Sequence, residues 1–110
     1  MAEVYKILGQ SAPAAATLTT AYTVGASTEG IVSTVTVCNR SATATTFRIA
    51  VRPAGASIAN AHYVAYDQAI AGNETVVITL GFGLATTDVV SVYNTLATLS
   101  FTVGGMKITA

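Results

Sequence analysis

The chain has very little charge. Its 110 residues include five Lys and Arg and five Asp and Glu, so charged residues make up 9% of the sequence and the formal net charge is zero. Typical soluble domains contain about 25% charged residues. Five basic residues are too few for a basic stripe that would neutralise several phosphates, so we expect no nucleic-acid partner. A nearly neutral surface also gives weak protection against association, which favours a protein that normally lives in an assembly.

Cysteine and long apolar runs are also scarce. Cys38 is the only cysteine, which excludes an internal disulfide and a zinc cage made of cysteines, and we expect its side chain to be buried. No apolar run approaches the roughly 20 residues that a membrane helix needs, so no membrane partner is expected. The N-terminal MAEVYKILGQ lacks a basic segment followed by an apolar one, which predicts synthesis in a cytoplasm without a secretory signal.

Sequence motifs of enzymes are missing as well. The chain contains no GxSxG, HExxH or GxxxxGK[ST] motif. The only imidazole base is His62, which we expect to be a partly exposed strand residue. Three acidic residues, Asp67, Glu74 and Asp88, stand beside turn signals, where carboxylates commonly cap the backbone. We therefore predict no enzymatic activity, no catalytic residues, no cofactor and no metal.

What the chain does contain is a succession of strand patterns. TTFRIAVRP at 45–53 alternates between an apolar face with Phe47, Ile49 and Val51 and a polar face with Arg48 and Arg52. Proline has no backbone N–H to donate, so the proline at position 53 should end the strand or lie at its edge. In HYVAYD at 62–67, the same alternation predicts one face for Tyr63 and Ala65, and the opposite face for Val64 and Tyr66.

About eight short strands of this kind follow one another, separated by turns rich in Gly, Asn and Pro. They are predicted in VYKILGQ, LTTAYTV, IVSTVTVCN, TTFRIAVRP, HYVAYD, TVVITLGFGL, DVVSVYN and the stretch from TLSFTV to MKIT. This regular spacing is typical of an antiparallel sandwich or barrel, and we predict an all-β, two-sheet sandwich. A jelly-roll and an immunoglobulin-like topology both fit the pattern.

The N-terminus is the part of the chain that fits a single domain least well. The segment SAPAAA at 11–16 consists of small residues and one proline, which is typical of a pliable linker. We therefore divide the chain into an N-terminal arm with its linker, residues 1–16, and a sandwich domain, residues 17–110. A strand ahead of such a linker can pair with a neighbouring molecule, so strand exchange is expected.

The candidate contact residues are three arginines and two tyrosines. Arg40, Arg48 and Arg52 are three of the five basic residues and lie within the stretch VCNRSATATTFRIAVRPAG. Arg48 and Arg52 are either solvated and salt-bridged to Asp67 or Glu74 on neighbouring strands, or they contact carboxylates and main-chain carbonyls of another subunit. Tyr63 and Tyr66 suit a subunit contact or a platform for a sugar ring.

Several stretches resemble a family of small bacteriophage virion proteins, known from phages of cyanobacteria and other aquatic bacteria. The resemblance rests on Asn39 and Arg40, on the run RIAVRP and on HYVAYD, and it extends over nearly the whole chain. TVGASTEG departs from the pattern, because a turn with proline is usual there. The resemblance implies a structural role in a virion, and no catalytic residues transfer with it.

From these observations we expect a capsid decoration (cement) protein that binds between major capsid subunits and stabilises the head. The expected partners are the major capsid protein or other virion proteins, and a homo-oligomer, in particular a trimer. The alternative is a structural or receptor-binding module associated with the tail or a fibre. The expected location is the virion, after synthesis in the cytoplasm of a bacterial host.

Overall fold

The computed structural model describes residues 2–109, which form eight strands and two short 3₁₀ turns. The strands are β1 Ala2–Ser11, β2 Thr19–Thr23, β3 Thr28–Asn39, β4 Thr45–Arg52, β5 Tyr63–Ile70, β6 Thr75–Leu84, β7 Val89–Asn94 and β8 Leu99–Thr109. Within the described range, no helix is long and apolar enough to cross a bilayer. The predicted all-β class and all of the predicted strands are confirmed.

The strands form two four-stranded antiparallel sheets. Sheet A has the order β1-β8-β3-β6, and sheet B has the order β2-β7-β4-β5. The first four strands pair with the last four in reverse order: β1 with β8, β2 with β7, β3 with β6 and β4 with β5. The chain is therefore one long two-stranded ribbon rolled into a sandwich. That strand order is a jelly roll and differs from the immunoglobulin arrangement.

The core lies between the two sheets and consists mainly of β-branched residues, which suit a pleated and buried surface. At its centre, Phe47 of β4 meets Phe101 of β8 edge to face, with ring centroids 6.1 Å apart. The residues that are completely shielded from solvent include Val32, Val35, Val37, Ile49, Val90, Val92, Leu99 and Val103. The alternation found in TTFRIAVRP is confirmed, since Phe47 and Ile49 are fully buried and Val51 packs against the core.

The ends of several strands follow the predicted turn chemistry. β4 stops at Arg52, and the proline at position 53 opens a 3₁₀ turn. Asn73 adopts a positive φ of 57° in the turn between β5 and β6, a conformation that asparagine tolerates better than most residues. The prediction of a buried cysteine was wrong in degree, because Cys38 lies on the outward side of β3 and is only half-buried.

The N-terminal strand is part of sheet A in this structure. β1 pairs along its length with β8 of the same chain, from Ala2 opposite Thr109 to Ser11 opposite Phe101. The linker after it is anchored: Pro13 is buried, and the Ala16 N–H donates to the carbonyl of Asn94 at 2.8 Å. The division at residue 16 and the exchange of β1 between molecules stay predictions.

Candidate functional site

A group of side chains that contact one another lies on the outer face of sheet B, and a bulge in β5 brings them together. Phe47 lies opposite Gln68 and Ile49 lies opposite Ala65, so the intervening Arg48 faces two residues, Tyr66 and Asp67. An extra residue in one strand bends it and re-aims its side chains. Asp67 has a positive φ of 47° at this point. The bulge therefore brings an aromatic ring and a carboxylate to the same arginine.

Arg48 is held by an ion pair and by aromatic rings, and we call this group the Arg48 cluster: Arg48, Tyr63, Tyr66, Asp67 and Tyr93. The guanidinium donates from Nε to Asp67 Oδ1 at 2.6 Å and from Nη2 to Asp67 Oδ2 at 3.3 Å. Its Cζ lies 4.2 Å from the ring centroid of Tyr66, 4.5 Å from that of Tyr93 and 6.0 Å from that of Tyr63. These distances are typical of cation–π contacts.

The cluster links three adjacent strands of sheet B. Arg48 comes from β4, Tyr63, Tyr66 and Asp67 come from β5, and Tyr93 comes from β7 directly opposite Arg48. Hydrogen bonding to Asp67, the main cause, raises the pKa of Arg48 above its ordinary value, so the guanidinium is charged at any physiological pH. Partly exposed cation–π contacts contribute about 0.5–1 kcal/mol each. The cluster is therefore a stiff part of the surface.

Tyrosine rings form the exposed surface of the cluster. Tyr63 and Tyr66 meet edge to face with centroids 4.8 Å apart, and Tyr66 is 58% exposed. Together with Asn60 they line a shallow open pocket of about 460 Å³. A large aromatic ring that is held in place, yet still open to solvent, can contribute contact area to a partner without losing much side-chain entropy on binding.

The other two candidate arginines are engaged elsewhere. Arg52 donates from Nε to Ser91 Oγ at 3.1 Å and from Nη1 to the carbonyl of Ala56 at 2.9 Å, so it holds the turn after β4 against β7. Arg40 lies beyond the end of β3 and donates from Nη2 to the carbonyl of Ala97 at 3.3 Å. The structure therefore brings Arg48, Tyr63 and Tyr66 together and does not bring Arg40 into the cluster.

Two features of the cluster differ from the sequence interpretation. Tyr63 and Ala65 were predicted to share a face, and this was wrong. Ala65 lies opposite the buried Ile49, whereas Tyr63 lies opposite Ala50 and meets Tyr66 edge to face. The register of β5 shifts between these positions, and the shift reverses the alternation. Tyr93 was not singled out as a site residue. Its place became visible only through the pairing of β7 with β4.

One of the two predictions for the arginines agrees with these contacts. The salt bridge to an acid on a neighbouring strand is present for Arg48, whose side chain is 22% exposed against 45% for Asp67. The contact of Arg40, Arg48, Arg52, Tyr63 and Tyr66 with another subunit stays a prediction. The prediction that His62 is a strand residue was wrong, because His62 is the last residue of a 3₁₀ turn. It is half-buried, and its Nδ1 accepts the Ala59 N–H at 3.1 Å.

The remaining carboxylates in turns act on the backbone. Asp88 accepts the N–H groups of Ala54 and Ala85 at 2.8 and 2.9 Å, and Glu74 accepts the N–H of Ala71 at 2.9 Å. Between residues 2 and 109, no three His, Cys, Asp or Glu side chains are grouped as metal ligands would be. Comparison of the chain with models of known families, with curated proteins and with solved structures gives no match.

Proposed function

We propose that this chain is a structural protein of a bacteriophage virion, a capsid decoration protein that binds between major capsid subunits and stabilises the head. The virion assignment rests on the sequence resemblance. The observation that favours a binding role is the Arg48 cluster on the outer face of sheet B. Tyrosine and arginine are enriched in protein interfaces and in their energetic hot spots.

The geometry of the cluster suits such a contact. The pairing of Arg48 with Asp67 leaves no isolated charge to desolvate when a partner covers the site. Tyr66 presents its ring on the surface, with 58% of the residue exposed. Because its neighbours already hold it in place, binding costs little further ordering. In this proposal Arg40 and Arg52 contribute to the rim of the contact, where charged groups set orientation more than affinity.

A decoration protein works by adding contact area at many equivalent sites. A specific interface buries about 800 Å² per partner. When an oligomer bridges several capsid subunits, each further contact forms at high effective concentration, so modest individual affinities add up to tight attachment. The head then resists internal pressure because many such bridges have to break together.

The alternative is a tail-associated or fibre-associated module that binds a surface glycan. The open pocket lined by Asn60, Tyr63 and Tyr66 favours this possibility, since a sugar ring stacks on an aromatic face and its hydroxyl groups form hydrogen bonds with an amide. The two proposals place the protein at different positions on the particle. They therefore differ in copy number, with hundreds of copies on a head and a handful on a tail.

The test is deletion of the gene from the phage that encodes this chain. We expect particles that assemble but lose infectivity at lower temperature, or on milder osmotic shock, than the parent. Resistance equal to that of the parent would reject the decoration role. Quantification of the chain against the major capsid protein, together with immunolabelling, separates head from tail, and label confined to one end would support the alternative.

Complementation of these particles with purified variants tests the cluster. We expect Tyr66→Ala to weaken rebinding about 30-fold, the loss typical of an interface hot spot. Val77→Ala is the matched control, because Val77 is 56% exposed but lies on the outer face of sheet A. If both variants rebind like the parent protein, the Arg48 cluster is not the contact.

A further inference from the structure

One end of sheet A carries a surface that we call the lip. It consists of residues 2–7 of β1, 104–109 of β8 and 28–32 of β3, which pair side by side. Successive residues of a strand point to opposite faces of a sheet. Val4 and Tyr5 are successive, yet they are 52% and 65% exposed. Both faces of the lip are therefore open to solvent along β1.

The two faces carry opposite charge. Lys6, Gly105 and the buried Val32 lie side by side on the three strands, so Lys6 is on the face that continues into the core. Lys107 follows Gly105 by two residues in β8 and is therefore on the same face. Glu3 of β1 and Glu29 of β3 lie on either side of Ile108 of β8. All three residues are on the opposite, outer face of the sheet. The lip thus has a basic inner face and an acidic outer face.

These four charges lack the partners that the other charged side chains have. Arg40, Arg48, Arg52, Glu74 and Asp88 all make intramolecular hydrogen bonds. Within residues 2–109, no hydrogen bond or salt bridge involves the side chains of Glu3, Lys6, Glu29 or Lys107. The reason is geometric. The strand register places the two lysines on one face of the sheet and the two glutamates on the other, so like charges are neighbours, which is unfavourable.

The outer face also exposes apolar surface between and beside its acids. Tyr5, Met106 and Ile31 form the row next to Ile108. Tyr5 is 65% and Ile31 37% exposed. The inner face offers Val4 beside the lysines. Each face therefore combines an apolar part with two charges of one sign, and the two faces are complementary to each other.

We infer that the lip of one molecule binds the lip of a second copy, inner face to outer face. Lys6 and Lys107 of one copy would then pair with Glu3 and Glu29 of the next, while Val4 packs against the apolar row. This contact joins two different surfaces, so it is heterologous and generates a ring, or a filament if the rotation does not close. The inference deepens the proposed function by identifying the surface through which the decoration protein becomes an oligomer.

The size of the lip limits the strength of this contact. The inner face is open only along β1 and β8, because Thr28 and Val32 of β3 are buried. Two strands about 4.8 Å apart and about six residues long present a flat area of roughly 200 Å². That is less than the roughly 800 Å² per partner of a standard interface. We therefore expect association that needs the charge pairs and is weakened by salt, because exposed ion pairs are screened at high ionic strength.

The test is a charge exchange measured by sedimentation and light scattering on the full chain. Lys6→Glu with Lys107→Glu makes both faces acidic, and Glu3→Lys with Glu29→Lys makes both basic. Each double variant should raise the dissociation constant at least about tenfold. The quadruple variant exchanges the two faces and should restore association. Thr75→Lys is the control, since the exposed Thr75 lies opposite Cys38 at the end of sheet A far from the lip, and this change should have no effect.

Circular dichroism of every variant separates loss of contact from loss of fold. A monomeric parent protein at all concentrations, or a quadruple variant that stays dissociated while folded, would overturn the inference. Association of the parent protein should also weaken in about 1 M salt, where the Debye length is about 3 Å. Because these measurements need no virion, an oligomer that fails to bind particles would contradict the proposed function and leave the lip contact intact.

Discussion

Single residues in this protein differ in how completely their polar atoms are satisfied. Asn39 is 2% exposed and uses its whole amide: it donates to the carbonyls of Thr43 and Ala71 and accepts the N–H of Ser41. It thereby ties the turn after β3 to the turn after β5, which gives a structural reason for one of the residues behind the resemblance. The hydroxyl of Tyr22, in contrast, is buried and has no hydrogen-bond partner among the described residues.

Tyr22→Phe should therefore stabilise the fold. Removal of an unpaired buried hydroxyl is expected to raise the free energy of unfolding by about 1 kcal/mol at neutral pH. Burial also raises the pKa of Tyr22 above 10.0. Above that pH the unfolded chain releases the proton more readily than the folded one, so the parent protein loses stability as pH rises.

Urea unfolding between pH 7 and 11 checks both effects. The difference in unfolding free energy between Tyr22→Phe and the parent should be positive at pH 7 and should widen above pH 10, because phenylalanine does not titrate. A difference that is independent of pH would show that Tyr22 titrates normally in the folded state. A destabilised variant would show that the hydroxyl has a partner in solution.

At the scale of strands, the local irregularities position the surface features. Two register shifts in β5 assemble the Arg48 cluster. Another bulge lies in β3 between Val32 and Thr34, where β3 pairs with β8. β1 approaches β2 of the other sheet most closely at Gly9, where an added Cβ would collide with the carbonyl oxygen of Ala21. Only glycine permits that approach, which closes one side of the sandwich.

Gly9→Ala should destabilise the protein by about 1–3 kcal/mol, because β1 has to move away from β2 to make room. Gly81→Ala is the matched control, since Gly81 also lies in an edge strand but an added Cβ there meets nothing within 4 Å. We expect the control to change stability by less than about 0.5 kcal/mol.

Chemical unfolding gives the energies, and hydrogen exchange locates the change. Amides of β1 should exchange faster in Gly9→Ala while those of β4 and β7 stay protected. Equal effects of the two substitutions would mean that the approach of β1 to β2 does not limit the strand's position.

For the molecule as a whole, the rolled ribbon places the two ends of the chain side by side. Ala2 lies opposite Thr109, and β1 contributes one of the four strands of sheet A. Such long-range pairing is typical of domains that fold slowly, on the scale of milliseconds to seconds. It also means that residues 17–110 alone would leave an edge of β8 without its partner strand.

Deletion of residues 2–16 should abolish cooperative unfolding, because sheet A loses β1 and the buried Pro13 is removed with the linker. A synthetic peptide of residues 1–16 should restore it if β1 can be supplied by another molecule, which is the predicted strand exchange. Thermal unfolding followed by circular dichroism measures both effects. A truncated chain that unfolds cooperatively by itself would support the division at residue 16, and a peptide without effect would reject the exchange.

The sequence by itself determined which segments are strands, which of their faces is buried in β4 and where the turns lie. Alternation with a period of two and the chemistry of Pro and Asn are local, so they are visible without any pairing information. The low content of charged residues was equally visible. It made the arginines of the stretch around Arg48 conspicuous and left Asp67 and Glu74 as possible salt-bridge partners, and only the structure decided between these two acids for Arg48.

Only the tertiary structure decided how these strands combine. Strand order depends on pairing between distant segments, so the jelly roll could not be distinguished from the immunoglobulin arrangement in advance. A bulge adds one residue and reverses the alternation beyond it, which is why Tyr63 moved to the same face as Tyr66. The cross-strand register brings together residues that are far apart in the chain. It places Tyr93 beside Arg48, and it places the lysines and the glutamates on opposite faces of the lip.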